Sequence, residues 1–439
     1  MNSPVPSEAA PRESYILRGT MLTDGFSYAD AVVAVAGGRI AYAGPRTGFN
    51  ATAQAVFDGA VFDGAAFDGA AFDSAVELDL PPDGLILPGL IDLHCHGAAG
   101  AGFPTSDSEA CRDAVEFLHR SGTTTLLASL VTASGQELLR ALGVLRVLAS
   151  EGLIAGVHSE GPFLSPARCG AQNPEWLRNP DFELLREMLA AAGGTLKTMT
   201  YAPELPGAGE LVTMLAQHGV TPSLGHTDAD ARTAAASLTA AAHLLAVASD
   251  AGRAGPFGTS ARPTVTHLFN AMPPLHHRSP GPVAACLRLA AAGAIAVELI
   301  GDGVHLDPET VRMVFELVGA DNIALVTDSM AATGLPDGDF ELGPSAVVVR
   351  DGVASLPGSG ALAGGTATLL EVVRRTIAAG VSPADAVKAA TLVPARILGL
   401  DGEAGSLRTG RRADVVAVDG GFGLHTVLRA GRVLTRPGI

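Results

Sequence analysis

PGLIDLHCHG, residues 88–97, is the stretch from which both the fold and the chemistry can be read. An apolar run that ends in Asp92, His94 and His96 is a buried strand carrying polar groups at its C-terminal edge. Side chains alternate along a strand, so His94 and His96 share a face while Cys95 points the other way. Two imidazoles on one face can grip one ion. Cys95 has no general base placed beside it by spacing and is expected to be a structural thiol.

The same pattern recurs outward along the chain. Strand-like runs are expected at Leu85–His94, Thr123–Leu130, Ile154–Glu160, Leu196–Glu204, Thr221–His226, Thr264–Phe269, Ala294–Asp302 and Ile323–Asp328. Helical patterns over 107–120, 135–149 and 307–318 fall between them. The last opens on Asp307–Pro308, with an acid at the cap and proline at the first helical position. Eight such βα units predict an α/β fold, a (β/α)8 TIM barrel over residues 86–399. In a barrel the C-terminal strand ends meet at one mouth, which gathers Glu160, His226, His267, Asn270, Asp302, His305 and Asp328 beside His94 and His96. His94, His96, Glu160, His226 and His267 together form a set suited to one or two divalent ions, Zn2+ or Fe2+ by donor type. Any one of these histidines alone would read as a core or surface residue; four of them with Glu160 at strand ends read as a site. His158 shares the face of Glu160. His218 and His243 fall on helices, and His276 and His277 in a proline-rich loop, where a structural reading is preferred.

Both chain ends read as short strands separated by glycine and aspartate turns. They predict one small β domain built from both termini, residues 12–85 and 400–439. Within it an FDGA repeat, residues 57–74, is too short to stack as a solenoid and is expected to be a surface loop. Across the 439 residues, 45 acids against 29 bases give a net charge of −16, which argues against nonspecific nucleic-acid binding and a polybasic membrane anchor. Four scattered cysteines form no disulfide framework. The apolar stretches 233–252 and 283–300 are interrupted by charged or polar residues and read as core. The N-terminus shows no basic region followed by an apolar one, and a cytoplasmic protein is expected.

PGLIDLHCHG resembles the entry motif of the amidohydrolase superfamily. With GVHSEGPFLS (156–165), SLGHTDAD (223–230), THLFNAM (266–272), IGDGVHL (300–306) and LVTDSMAATG (325–334), the chain is similar to the N-acetylglucosamine-6-phosphate deacetylases within it. The resemblance implies Glu160, His226 and His267 as main metal ligands, and His94 with His96 as the extra pair of two-metal members. It implies Asp328 as catalytic acid/base and His305 as a helper at the oxyanion. Substrate contacts are implied for Ala171, Asn270, Ala271, Asp302, Gly303, Val304, His305 and Leu362, and a phosphate contact for Arg278. A small β-sandwich as the form of the terminal β domain, and a homodimer with the phosphate site near the subunit interface, are implied as well. Two departures are the FDGA repeat and a longer stretch near 249–263. The alternatives are another amidohydrolase deacetylating a different N-acetyl sugar or amino acid, and a catalytically silent relative acting by assembly.

Overall fold

The computed structural model describes residues 13–49, 61–62, 65–66, 72, 75–250 and 262–436. Most of the FDGA repeat and of the stretch 249–263 lies outside the described residues. The chain divides into two compact units, Met1–Gly89 with Gly402–Ile439, and Leu90–Asp401.

The larger unit is a barrel of eight parallel strands: β1 (Leu90–Cys95), β2 (Thr123–Leu130), β3 (Gly156–Glu160), β4 (Leu196–Tyr201), β5 (Thr221–Leu224), β6 (Thr264–Val265), β7 (Ala296–Leu299) and β8 (Ile323–Leu325). Each pairs with its neighbours in sequence order. The seam between β8 and β1 is closed by a bridge at Cys95 and Ser329, where His96 N donates to Ser329 O at 2.7 Å and Asp328 N to His94 O at 2.9 Å. Helices fill the crossovers, and their starts follow from local chemistry. Asp107 caps α1 (Ser108–Arg120) by accepting from Glu109 N and Ala110 N. Ser134 and Glu137 form a capping box on α2 (Gly135–Ser150). Asp307 caps the helix Pro308–Val318, with proline at the first turn. Each helix buries one stripe; in α1 it is Cys111, Ala114, Val115 and Leu118, and a fully buried Leu or Val contributes roughly 1.5–3 kcal/mol. One helix among the described residues, Ala231–Asp250, is long and apolar enough to cross a membrane by length and composition. Its Ala234, Leu238, Ala241 and Leu245 are buried at helical spacing, the pattern of a helix lying on a core.

Three differences from the sequence expectation have physical reasons. Several strands stop early: β5 at Leu224 rather than His226, β6 at Val265 rather than Phe269, and β8 at Leu325 rather than Asp328. His226 (φ 47°), His267 (φ 30°), Phe269 (φ 79°) and Asp328 (φ 51°) adopt left-handed backbone, which leaves the ladder and costs energy in non-glycine residues. The run expected over Leu85–His94 is two strands. Leu85–Pro88 pairs antiparallel with Val415–Val418 and touches Thr20 and Met21 in parallel, so it belongs to the smaller unit, and the barrel begins at Leu90 rather than 86. Third, an antiparallel meander of Gly338–Leu342, Ser345–Arg350 and Val353–Ser355 follows β8. It turns on Asp351 (φ 52°) and Gly352 (φ 73°), both left-handed as a tight hairpin requires. Its Leu342, Val347, Val349 and Ala354 pack with Val131, Met330 and Ala363.

The smaller unit is an eight-stranded sheet built from both chain ends. Leu17, Val33, Val35, Ile86, Val415 and Leu428 share one core, while the alternate residues Ile16, Val32, Ala34 and Ala41 pack with Phe72 on the other face. The sheet curls on itself: Ile40 N donates to Arg411 O, and Gly410 N to Ile40 O, both at 2.8 Å.

Candidate metal centre

Five barrel strands deliver the polar groups to one mouth. His94 projects from β1 and His96 follows it; Glu160 ends β3; His226, His267 and Asp328 stand on the left-handed turns after β5, β6 and β8. The left-handed turns place side chains where a continued strand would alternate them between barrel wall and interior.

Two groups form. In the first, His94 Nε2 and His96 Nε2 are 3.0 Å apart, and Asp328 Oδ1 lies 3.4 and 3.2 Å from them. In the second, Glu160 Oε1 is 2.9 Å from His226 Nε2 and 2.8 Å from His267 Nε2, and those nitrogens are 3.2 Å apart. Glu160 Oε2 faces the first group, 3.3 Å from His96 Nε2, so one carboxylate spans both. Nitrogen and oxygen ligands at about 2.0–2.2 Å from a tetrahedral ion stand roughly 3.3 Å from one another. The observed separations and the imidazole–carboxylate donor set fit a divalent ion.

The surrounding hydrogen bonds set the tautomers. His94 Nδ1 donates to Glu298 Oε2 at 3.1 Å, and His226 Nδ1 to Arg168 O at 2.9 Å, which leaves each Nε2 lone pair facing the site. Gln172 Oε1 accepts from Thr132 N at 2.7 Å, which orients its Nε2 to donate to Glu160 Oε2 at 2.6 Å. Asp92 accepts from Thr327 Oγ1 at 2.7 Å and from His94 N at 3.1 Å, tying the two seam strands. His96 Nδ1 and His267 Nδ1 are buried without a hydrogen-bond partner.

Charge is concentrated here. Burial alone would raise the Asp328 carboxyl, but His94 and His96 outweigh it and hold its pKa well below the usual range. Burial likewise opposes ionised Glu160, and His94, His226 and His267 hold it low. Burial pulls the His305 pKa down, yet the Asp302 hydrogen bond and charge leave it raised. Burial pushes Asp92 up to about 6 against the bonds from Thr327 and His94. Burial also drives the Cys95 thiol far above its usual pKa, so it is an inert thiol in the seam, contacted by Ser329 Oγ at 3.0 Å. His158 lies beneath His94, ring centres 4.5 Å apart, and is held between Ser129 and Thr200. Burial keeps its pKa well below the usual value.

A cavity of about 240 Å3 opens over the two groups. Of the residues expected from sequence, His96, Glu160, Ala171, His226, His267, Asn270, Ala271, His305, Asp328 and Leu362 line it. His94 sits behind its wall, fully buried. Four expected substrate residues do not line it. Asp302 is buried and instead anchors His305, its Oδ2 2.8 Å from His305 Nδ1. Gly303 and Val304 lie in the exposed turn that Asp302 caps. Arg278 is exposed in the loop before the helix Gly281–Ala291, its Nη1 2.7 Å from His277 Nε2. Sequence reasoning missed Gly170, Gln172 and Leu342 in the lining, and Glu298 behind it; Ala361 and Gly364 line it as neighbours of Leu362 in the loop GALAGG (360–365). The available signal for Glu298 was a lone carboxylate inside the apolar run AIAVELI.

A parallel barrel presenting two histidine–carboxylate groups at its strand ends belongs to the TIM-barrel class, with a donor set that could hold a divalent ion at the mouth where such barrels carry their sites. The chain belongs to the amidohydrolase family, whose model matches residues 85–435. It is 36% identical over 357 residues to the N-acetylglucosamine-6-phosphate deacetylase of Bacillus subtilis (strain 168), covering 78% of this chain and 82% of the relative. It is 33% identical over 354 residues to the N-acetylgalactosamine-6-phosphate deacetylase of Escherichia coli O157:H7, covering 80% and 87%. A solved structure of a mutant Mycobacterium smegmatis N-acetyl-D-glucosamine-6-phosphate deacetylase, in complex with N-acetyl-D-glucosamine-6-phosphate, superposes with a TM-score of 0.80 at 33% identity, over 96% of this chain and 100% of that one.

Proposed function

We propose that the chain hydrolyses N-acetyl-D-glucosamine 6-phosphate to D-glucosamine 6-phosphate and acetate, in amino-sugar catabolism or cell-wall sugar recycling. The observation that carries the reading is Asp328 at the cavity floor, one oxygen toward His94 and His96 and the other 3.8 Å from His305 Nε2. Zn2+ or Fe2+ suits the donors, held by Glu160, His226 and His267, with a second ion at His94, His96 and Asp328. When bound, such an ion supplies Lewis acidity toward the amide carbonyl and toward water.

The chain's own residues do the rest. Asp328, held ionised, takes the proton of the attacking water and returns it to the amine nitrogen, which leaves poorly as an anion. His305, whose Nδ1 proton goes to Asp302, carries a second proton on Nε2 as the imidazolium that Asp302 favours, and donates it in a hydrogen bond to the oxyanion of the tetrahedral intermediate. Asn270 and the backbone at Ala271 meet the sugar phosphate end, and Ala171 and Leu362 give the cavity an apolar wall. Asp302, Gly303 and Val304 act from the turn that carries His305. Arg278 reaches the phosphate across a homodimer interface, its planar fork suited to a dianion. No nucleic acid or membrane is a partner, and the protein works in the cytoplasm. Acetate release from the phosphorylated sugar tests the reading. A second reading, the 4-epimer N-acetyl-D-galactosamine 6-phosphate, is favoured by the Escherichia coli relative; rates on the two epimers separate them.

A further inference from the structure

Glu298 is a carboxylate beside this site for which the reaction has no use. It stands on β7, 2% exposed, pointing into the barrel behind the histidines rather than into the cavity. Its Oε2 accepts twice: from His94 Nδ1 at 3.1 Å and from the backbone N–H of His267 at 3.3 Å. Its own carbonyl accepts from Leu268 N at 2.9 Å. His94 belongs to the first ligand group and His267 to the second. His267 holds a left-handed backbone that a histidine adopts only when its surroundings impose it, and Glu298 is bonded on both sides of that turn.

We propose that Glu298 is a positioning residue that locks the two ligand groups in register, fixing the His94 tautomer and the His267 turn through one acceptor atom. The proposal rests on the metal-centre reading above. With Oε2 holding the Nδ1 proton, the His94 lone pair is committed to Nε2, where His96 and Asp328 converge. Without an acceptor at that point the ring can carry its proton on Nε2 instead, which is useless to a cation. The second group depends less on Glu298. Its His226 is fixed independently by Arg168 O, and Glu160 by Gln172. Removing Glu298 should therefore weaken the two groups unequally.

The test is zinc binding to the full chain by equilibrium dialysis with elemental analysis, for the wild type, Glu298→Gln and Glu298→Met. Gln keeps a neutral acceptor oxygen of the same reach; Met keeps the volume and removes the acceptor. The expected result is two binding events in the wild type, both within about threefold in the Gln variant. In the Met variant the first group's event is weakened about 10- to 100-fold, and the second group's by less, through loss of the His267 acceptor alone. If the Met variant does not fold, Glu298→Asp replaces it, since its carboxylate stops a methylene short of both nitrogens. A Met or Asp variant that titrates like the wild type, or a Gln variant as impaired as Met, overturns the proposal and leaves the metal centre standing. A wild type that binds no zinc overturns both.

Discussion

Replacing Asp328 by Asn changes two atoms' chemistry and almost no volume. The Asp328 carboxylate sits 3.2 Å from His96 Nε2 and 3.8 Å from His305 Nε2, so it is placed both to steady water and to move a proton. Asn preserves a carbonyl oxygen in the same place but cannot accept a proton at neutral pH. The loss should be that of a general acid–base, about 100- to 10,000-fold in kcat. At 1.36 kcal/mol per decade this is about 2.7–5.4 kcal/mol of barrier. KM should move little, because substrate is held by groups that the change leaves in place. Bound metal should not fall below one equivalent, since Glu160, His226 and His267 form a group to which Asp328 does not belong. The assay is steady-state acetate release, with metal content measured on the same sample. Turnover within about threefold of the wild type would refute the assigned proton transfer. Turnover lost in step with all of the metal would refute it too, by making Asp328 only a ligand.

Other outcomes follow from the same contacts. Gln172→Leu removes the bond to Glu160 Oε2 and strips Thr132 N of its acceptor, so urea denaturation should show a loss of about 1–3 kcal/mol, with weaker metal retention. Gly225→Ala places a Cβ 2.8 Å from Thr200 Cγ2 and Thr266 Cβ, one residue before His226; overpacking should cost about 1–3 kcal/mol, read as a lower unfolding midpoint, and an unchanged midpoint would contradict the packing. Arg278→Ala should raise KM for the phosphorylated sugar more than tenfold and leave the plain sugar almost untouched; equal losses would count against a phosphate contact. Asp321 pairs with Lys388 at 2.7 Å and Arg396 at 3.1 Å, and the Lys388 bond holds its pKa low. It therefore adds stability above its unfolded pKa near 4 that is lost as pH falls through its depressed folded value. Asp321→Asn should flatten that acid limb by less than about 1 kcal/mol, as befits an exposed carboxylate.

The barrel was legible because each strand is a short apolar run with its polar residue at the C-terminal end, a pattern that PGLIDLHCHG states most compactly. The convergence of His94, His96, Glu160, His226, His267 and Asp328 at one mouth was legible for the same reason. What the sequence concealed was backbone geometry. His226, His267 and Asp328 occupy left-handed positions, uncommon outside glycine, so the strands end sooner than their apolar patterns do. The Gly338–Ser355 meander went unread despite an Asp-Gly turn, because its strands are short and only partly alternating. Gln172 and Glu298 act through other residues, and their worth lies in partners 12 and 204 positions away along the chain, which spacing does not reveal. Gly89 shows how a boundary hides: an unbroken apolar run crosses from one unit to the other, and only pairing partners tell Leu85–Pro88 from Leu90–Cys95.

The most direct measurement is acetate release from N-acetylglucosamine 6-phosphate, with N-acetylglucosamine alongside, before and after removal of metal by a chelator. Fast release from the phosphorylated sugar alone, abolished by chelation and restored by Zn2+ or Fe2+, is the predicted result. Release from neither sugar with metal bound, or release indifferent to chelation, would contradict the account.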